Sequence, residues 1–371
     1  MSDDTTTILV GGIPISEWTS VRVTRSVERV VSDFDFAITD LNPGQWRYPI
    51  VPGDACQVFI GNDLVLTGYI DRYTPAFSSR QHSITVSGRS KTQDIVDCSA
   101  VWEGSQLMNG TVKTISENLC TPFGVSVVTL ADVGPVVPRR NLNIGETPFE
   151  VIEPLARLRG LLIYDDVAGN LVLSSVGTDK AASGFKSGEN VQSASMTYAM
   201  DGRYRSYSAY RRKTVAKLLD TGKESNLIAT VNDFDVPRRR TKFIVAETYD
   251  AGGDVAARRA AWEMARRKGR SASVHLTCDS WRDSMGALWA PNTLAPVSLP
   301  SLGLDDVTWL ISEVVFLRDA QGTRAQLTLM DRRSFLPEPY AWPFRSDLAE
   351  ALRAAKEKQQ AQAKGQKVSN P

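Results

Sequence analysis

Histidine is nearly missing from this 371-residue sequence; it occurs only as His82 and His275, and neither has a partner at metal-ligand spacing such as HExxH. Imidazole-based catalysis or a histidine-held zinc would have to pass through these two. Each instead sits in an alternating pattern, His82-Ser83-Ile84-Thr85-Val86 and Ser273-Val274-His275-Leu276-Thr277, which predicts a position on a strand face. Cysteine is scarce too. Cys56, Cys98, Cys120 and Cys278 lie far apart with no CxxC pair, which argues against a zinc site and against a secreted disulfide framework. They are expected to be reduced thiols in cores.

Charge of either sign is not in excess: 43 Lys and Arg face 42 Asp and Glu, so no global field draws the chain to nucleic acid or an anionic membrane. No apolar run approaches the roughly 18 residues of a membrane span. The opening MSDDTTTILVGG is acidic and lacks a basic segment followed by a long apolar one, so synthesis in a cytoplasm without export is expected. GxSxG, GxGxxG and GxxxxGK[ST] are all absent, which removes the common nucleophile elbow and phosphate cradles.

What is present is mostly strand. Val21 and Val23 alternate with Arg22 and Thr24, Phe34, Phe36 and Ile38 keep the same period, and Val58-Phe59-Ile60 meets Leu64-Val65-Leu66 across Gly61-Asn62-Asp63 as a hairpin. Such short, closely spaced strands favour a small antiparallel barrel or sandwich. Helical spacing appears next, in Val112, Ile115 and Leu119, with Thr111 to start it and Pro122 to stop it. Thr147-Pro148-Phe149-Glu150 is a second helix start, with Gly160 as its terminal glycine and with Pro154 expected to kink or end it. Leu161-Leu162-Ile163 and Leu171-Val172-Leu173 then form a hairpin. Strand patterns return from Val191 and run, past a helix from Asp254 to about Lys268 closed by Gly269, through Trp309-Leu310-Ile311 and Leu327-Thr328-Leu329.

The two strand-rich regions end alike, since Ile84-Thr85-Val86 followed by Arg89 can be laid on Leu327-Thr328-Leu329 followed by Arg332. The predicted fold is therefore β-rich α+β: two similar small antiparallel β-barrels, an α/β segment between them, and a helical insertion in the second barrel region. The expected boundaries are 1–98 for the first barrel, 99–190 for the mixed segment, 191–336 for the second barrel with its insertion at about 254–268, and 337–371 for an extended or helical tail. That tail follows Pro337, Pro339 and Pro343 and opens with Asp347 and Glu350 as a capping pair. Three such chains about a threefold axis would set six similar modules in a ring.

Two stretches invite a functional reading. The first is SGRSKTQDIVDCSA, residues 87–100, where Gly88 is expected to permit a tight turn, Arg89 to satisfy carbonyls or an acidic neighbour, and Asp94 to belong to the packing of a short helix; one glycine is too few for a phosphate cradle. The second is YAMDGRYRSYSAYRRK, residues 198–213, in which Tyr204, Arg205, Arg211 and Arg212 interleave aromatic and basic groups as single-strand nucleic-acid binders do, and as a barrel strand between core and solvent also does. The paired carboxylates Asp165-Asp166 and Asp305-Asp306 could suggest a glycosidase, but both adjoin turns where Asp is common for backbone reasons.

The residues also resemble a known family. Residues 18–28 (WTSVRVTRSVE), 66–71 (LTGYID), 84–98 (ITVSGRSKTQDIVDC), 119–125 (LCTPFGV) and 288–292 (LWAPN) are similar to the baseplate hub proteins of Mu-like contractile-tailed phages, over roughly residues 1–336. The resemblance implies a trimer whose paired barrels form a pseudo-sixfold ring at the base of the tail tube, related in fold to the hub portion of type VI secretion spikes. It implies a structural virion protein assembled in the host cytoplasm, with the central spike protein, the tail tube protein, baseplate wedge proteins and the tape-measure protein as partners. DNA would pass only transiently, no stable membrane contact would form, and no cofactor, metal or catalytic residue is expected. The readings that compete with it are the hub of a type VI or other phage-derived injection machine and a tail-associated peptidoglycan hydrolase. Pro154 and the tail after Pro343 are departures from the family pattern.

Overall fold

The computed structural model describes residues 4–39, 50–78, 82–102, 104, 106–211, 227–245 and 255–335. The proposed tail, Arg212 and the expected helix start at Asp254 therefore lie outside the described residues.

Strands open the chain: β1 (Thr6–Val10), β2 (Ile13–Ile15), β3 (Ser20–Ser26), β4 (Asp33–Thr39), β5 (Ala55–Ile60), β6 (Asp63–Phe77) and β7 (His82–Ser90). Alternate residues are buried along β4 and β7, as the period-two pattern requires, while β3 breaks step where Val23 and Thr24 are both buried. A mixed segment follows: α1 (Gln93–Asp97), β8 (Gln106–Gly110), α2 (Val112–Cys120), β9 (Val127–Thr129), β10 (Val137–Asn141), α3 (Pro148–Leu158), β11 (Leu162–Asp165) and β12 (Leu171–Ser174). The last part holds β13 (Phe185–Lys186), β14 (Val191–Tyr198), β15 (Ser206–Arg211), β16 (Leu227–Asn232), β17 (Thr241–Val245), α4 (Val255–Arg270), β18 (Ala272–Cys278), β19 (Leu294–Leu299), β20 (Leu304–Asp319) and β21 (Gly322–Met330).

The two strand-rich regions do not close into separate barrels. They merge into one 13-stranded sheet, in the order β14-β18-β21-β20-β3-β4-β7-β6-β5-β1-β2, with β19 on β20 and β13 on β19. The join is the antiparallel pairing of β20 with β3, Glu313 to Arg318 against Ser26 to Val21. Buried side chains from both regions then share one core, in which Val23, Phe34, Phe36 and Val86 belong with Val274, Ile311, Val314 and Phe316. Closure of a barrel needs its last strand to bond its first; here β2 and β14 stand at opposite ends of the path.

Within that sheet one topology occurs twice. The order β3-β4-β7-β6-β5 is repeated as β14-β18-β21-β20-β19. Long β6 and long β20 each carry a bulge at the same point of the pattern, between Ile70 and Arg72 and between Ile311 and Glu313. The bulge sets the register. Leu329 stands opposite Ile311 where Gly88 stands opposite Ile70, so Gly88 and not Val86 is the counterpart of Leu329. The sequence alignment of Val86 with Leu329 is thus two residues out, an even slip that keeps inward residues inward. Arg332 consequently falls in the 3-10 turn after β21 rather than at the position of Arg89.

The mixed segment has its own core of Ile95, Val112, Ile115, Leu119, Val151, Ile152, Leu155, Leu171 and Leu173. Helix α3 starts on a complete capping box between Thr147 and Glu150. It also runs past Pro154 to Leu158, so of the two expected outcomes, a kink or an end, the helix does not end there. Val151, Ile152, Leu155 and Ala156 are fully buried beside that proline, and their packing offsets the roughly 3 kcal/mol of an interior proline.

Between β14 and β18 the chain builds a separate sheet, β16-β15-β17, whose Tyr207, Ala209 and Ile244 pack on Ala256, Ala260 and Met264 of α4. Gly269, expected to end this helix, lies inside it. A Cβ there would sit 2.0 Å from the Cβ of Ser334, so the glycine allows the turn after β21 to pack on the helix. Three of the four cysteines are buried as expected, but Cys98 is exposed because it follows the last turn of α1.

Candidate functional site

The motif at 87–100 forms the joint between the large sheet and the mixed segment. Gly88 is not in a turn: it lies within β7 between Phe34 and Ile70, and a Cβ would stand 2.2 Å from the Tyr69 carbonyl oxygen and 2.6 Å from the Phe34 ring. The strand continues to Ser90, and the turn comes at Lys91 and Thr92. Arg89 donates from Nε to Asp71 Oδ2 at 2.6 Å and from Nη2 to Asp97 Oδ2 at 2.9 Å, tying the β6 bulge to the end of α1. Those hydrogen bonds, with the one to Asp71 foremost, hold its guanidinium pKa above the ordinary value. Asp94, in the first turn of α1, is pushed up by burial and then by the charge of Asp97.

Deeper in the joint are hydroxyls, the carboxylate of Asp165 and the buried guanidinium of Arg25. Ser90 Oγ and Thr92 Oγ1 share a hydrogen bond of 2.6 Å, and Thr92 Oγ1 donates to the Val30 carbonyl at 2.7 Å. Ser32 donates twice to Asp165, from its backbone N–H at 3.0 Å and from Oγ at 2.7 Å. Asp165 is 2 % exposed, and burial pushes its pKa above the usual carboxylate value while Ser90, Ser32 and Arg25 pull the other way. Sequence reasoning placed Asp165 only in an acidic pair; a carboxylate ending the apolar run 161–164 was the one available sign that it is buried. Its neighbour Asp166 accepts from the N–H groups of Ala168 and Asn170 and so closes its own hairpin turn.

The tyrosine and arginine stretch is spent mostly on internal contacts. Arg203, 7 % exposed, grips Asp233 through Nε at 2.9 Å and Nη2 at 2.7 Å and reaches Asp235 at 3.1 Å. Tyr204 has the cations of Arg240, Lys242 and Arg267 within 5.0–5.7 Å of its ring. Arg205 donates to the Phe234 and Val236 carbonyls at 3.2 Å and lies over the Phe234 ring at 4.8 Å. Arg211 ends β15 opposite Leu227. Arg203, Tyr204 and Arg205 are thus engaged by partners of the same chain.

A second feature is a pair of strand edges. On one side of β20, β19 covers its first half and β3 its second half, with β21 on the other side throughout the second half. On β6 the equivalent side is covered by β5 only as far as Tyr69, and among the described residues nothing pairs on that side with the run from Arg72 to Phe77, whose other side is held by β7. That run is exposed, with Phe77 at 84 %. Apart from a single bridge between Val191 and Ser187, the outer edge of β14 is likewise unpaired among the described residues, and its Ala194 and Met196 are only partly buried against the core. Both sides of this comparison come from the repeat: β14 is the counterpart of β3, and β6 of β20.

Among the described residues the two histidines and the acidic pair at 305–306 do not come together. His275 lies by Ser273 Oγ at 3.3 Å and Thr328 Oγ1 at 3.2 Å, and His82 stacks on Phe77. Asp305 and Asp306 are exposed on β20. Among the described residues no group of three or more His, Cys, Asp or Glu is placed to hold a metal ion, and no helix is long and apolar enough to cross a membrane.

Three family models match the chain: Mu phage baseplate assembly protein GpP-like, N-terminal, over residues 5–90; baseplate hub protein gp44-like, second domain, over 92–175; and Mu phage baseplate assembly protein GpP, fourth domain, over 253–338. The baseplate hub protein gp44 of Escherichia phage Mu is 32% identical over 344 residues, which cover 90% of this chain and 89% of that protein. The crystal structure of the 43 kDa tail protein of prophage MuSo2 from Shewanella oneidensis superposes with a TM-score of 0.79 at 33% identity, covering 89% of this chain and 99% of that one. A tail protein from Neisseria meningitidis MC58 gives a TM-score of 0.78 at 20% identity, covering 91% and 99%.

Proposed function

This chain belongs to the family of Mu-like phage baseplate hub proteins, and on that footing we propose that it works as a trimeric, non-enzymatic hub whose repeated β-module turns three subunits into a six-part ring. Family membership supports the hub role in a phage virion; the trimer rests on the strand edges. Inside one chain, β20 and β3 join the two modules. The counterpart of that joint is β6 of one copy against β14 of the next, and the runs that would meet, Arg72 to Phe77 and Ser193 to Tyr198, are unpaired on those sides among the described residues. A contact of this head-to-tail kind closes into a ring when the rotation allows it, and three chains with two modules each make an approximate sixfold.

The register follows from the repeat. Val315 faces Thr24 within the chain, so Thr74 faces Thr197 of the neighbouring copy, and Tyr73 faces Tyr198. Pairing would cover the partly buried Tyr73, Ala194 and Met196. Pro75, lacking an N–H, removes at most one bond from this ladder.

Such a ring suits a junction between a hexameric tube and a trimeric spike, with wedge and tape-measure proteins on its other surfaces and DNA passing without lasting grip. Internal pairing of Arg203 and Arg205 is in keeping with a conduit, because each free phosphate contact would add affinity to be overcome. Assembly would take place in the host cytoplasm. Light scattering on the purified chain tests the trimer: a mass of three chains is expected at micromolar concentration, and a persistent monomer of 40.7 kDa would count against it.

A further inference from the structure

Inside the chain, charges of alternating sign cross the joint between the two modules. Glu313 of β20 faces Ser26 of β3, and its carboxylate lies 3.5 Å from Arg29, just past the end of that strand. Arg29 also lies 3.4 Å from Asp33, which Arg22 holds at 2.5 Å. An anion on β20 and a cation after β3 therefore meet across the paired strands.

The repeat carries these positions to the free edges. Glu313 and Arg72 are the first residues after the two bulges, opposite Thr328 and Ser87, so Arg72 takes the place of Glu313. On the other side Ala199 takes the place of Ser26, because Tyr73 facing Tyr198 of the next copy puts Arg72 against Ala199. The first charged residue beyond Ala199 is Asp201. The signs are exchanged: the cation now stands on β6 and the anion after β14. Both side chains are exposed, and among the described residues neither forms an ion pair. Asp71, next to Arg72, is taken by Arg89 at 2.6 Å, and Asp201 accepts from Arg240 through its backbone carbonyl, at 2.6 Å. Of the arginines that line the cavity beside Asp201, Arg157, Arg267 and Arg270 are held by Glu153, Glu263 and Glu28, and Arg266 lies over Trp262.

We propose, on the footing of the ring described above, that Arg72 of one copy pairs with Asp201 of the next, and that this exchange of sign selects which edges join. The two wrong pairings bring like charges together: β6 on β3 sets Arg72 beside Arg29, and β20 on β14 sets Glu313 beside Asp201. Repulsion of this kind rejects a wrong partner where hydrogen bonds between strand backbones, which are alike for every sequence, do not discriminate.

Subunit exchange tests the pairing: trimers of the full chain labelled with a donor or an acceptor dye are mixed, and energy transfer reports the rate at which copies trade places. Arg72→Glu and Asp201→Arg each set like charges at the seam and should each speed exchange about tenfold or more, with loss of the trimer as the limiting case. Arg72→Gln, which only removes the charge, should fall between the native chain and Arg72→Glu. The two reversals combined restore opposite signs and should bring exchange back to within about threefold of the native rate. All these differences should shrink as sodium chloride rises from about 0.05 to about 0.5 M. Unchanged exchange in both single reversals, or a combined variant no slower than either, would overturn the pairing and leave the ring standing; a native chain that stays monomeric would remove the ring as well.

Discussion

Ser32 Oγ donates to Asp165 Oδ1 at 2.7 Å, joining residues 133 positions apart and fastening the large sheet to the hairpin of the mixed segment. At 2 % exposed the carboxylate has little water, and protein groups, the Ser32 hydroxyl and N–H among them, take its place. Ser32→Ala removes the hydroxyl donor and leaves a buried acceptor short of a partner, which costs about 1–3 kcal/mol. Urea denaturation should show a midpoint shift of that size, and an unchanged midpoint would mean that the joint is held by something else.

The same carboxylate sets a pH dependence. Its folded-state pKa is raised above the ordinary value of about 3.9, so between that pH and the raised pKa the native state binds more protons than the unfolded chain. Stability from this group is therefore fully present below about pH 3.9 and is lost as pH rises through the folded pKa. Asp165→Asn should flatten that part of the stability curve, measured by urea melts from pH 3.5 upward in steps of about one unit. A slope identical to that of the native chain would show that Asp165 is ionised in both states.

Gly88 and Gly202 make a matched pair. At Gly88 a methyl group collides with the Tyr69 carbonyl and the Phe34 ring, whereas at Gly202 nothing lies within 4 Å and the backbone is not left-handed. Gly88→Ala is expected to cost about 3 kcal/mol or more, and Gly202→Ala to stay within about 0.5 kcal/mol of the native chain. Equal melting temperatures for the two variants would refute the close approach of β7 to β6 and Phe34.

Arg203 and Asp233 form the most buried ion pair among the described residues, with side-chain exposures of 8% and 2%. Removing one partner strands the other, at about 3–5 kcal/mol. Arg203→Ala should therefore unfold the β15–β17 unit at lower denaturant than the rest, seen as an early loss of amide-exchange protection there. Exchange that stays uniform would argue that this unit does not depend on the pair.

Local signals in the sequence were reliable where the cause was local. The Thr147–Glu150 capping box, the hairpin across Gly61 and Asn62 and the stripe Val112, Ile115 and Leu119 all concern residues within a few positions of each other. The strand that joins the two modules could not be read, because the pairing of Phe316 with Val23 depends on how two distant surfaces meet and on no pattern within either. The repeat was visible but its register was not: Ile84-Thr85-Val86 matches Leu327-Thr328-Leu329 as apolar and polar alternation, and only the bulges at Asp71 and Ser312 fix the true offset. Pro154 and Gly88 misled for a related reason. Residue type favours an end to the helix at one and a turn at the other, and the burial of Ile152 and Leu155 beside Pro154, or the approach of Phe34 to Gly88, decides otherwise. Of the site residues, Arg89 was legible as an arginine awaiting an acid, while Asp165 takes its character from burial that the sequence does not display.

The ring itself is tested most directly by a disulfide across its proposed seam. In a chain carrying Thr74→Cys, Thr197→Cys and Cys98→Ser, the last to remove the exposed native thiol, oxidation should give a covalent ladder on a denaturing gel that ends at three chains and collapses on reduction, while either single cysteine alone gives no trimer. Chains that remain monomeric under oxidation, while the unsubstituted protein sediments as a trimer, would contradict the seam and place the subunit contact on another face.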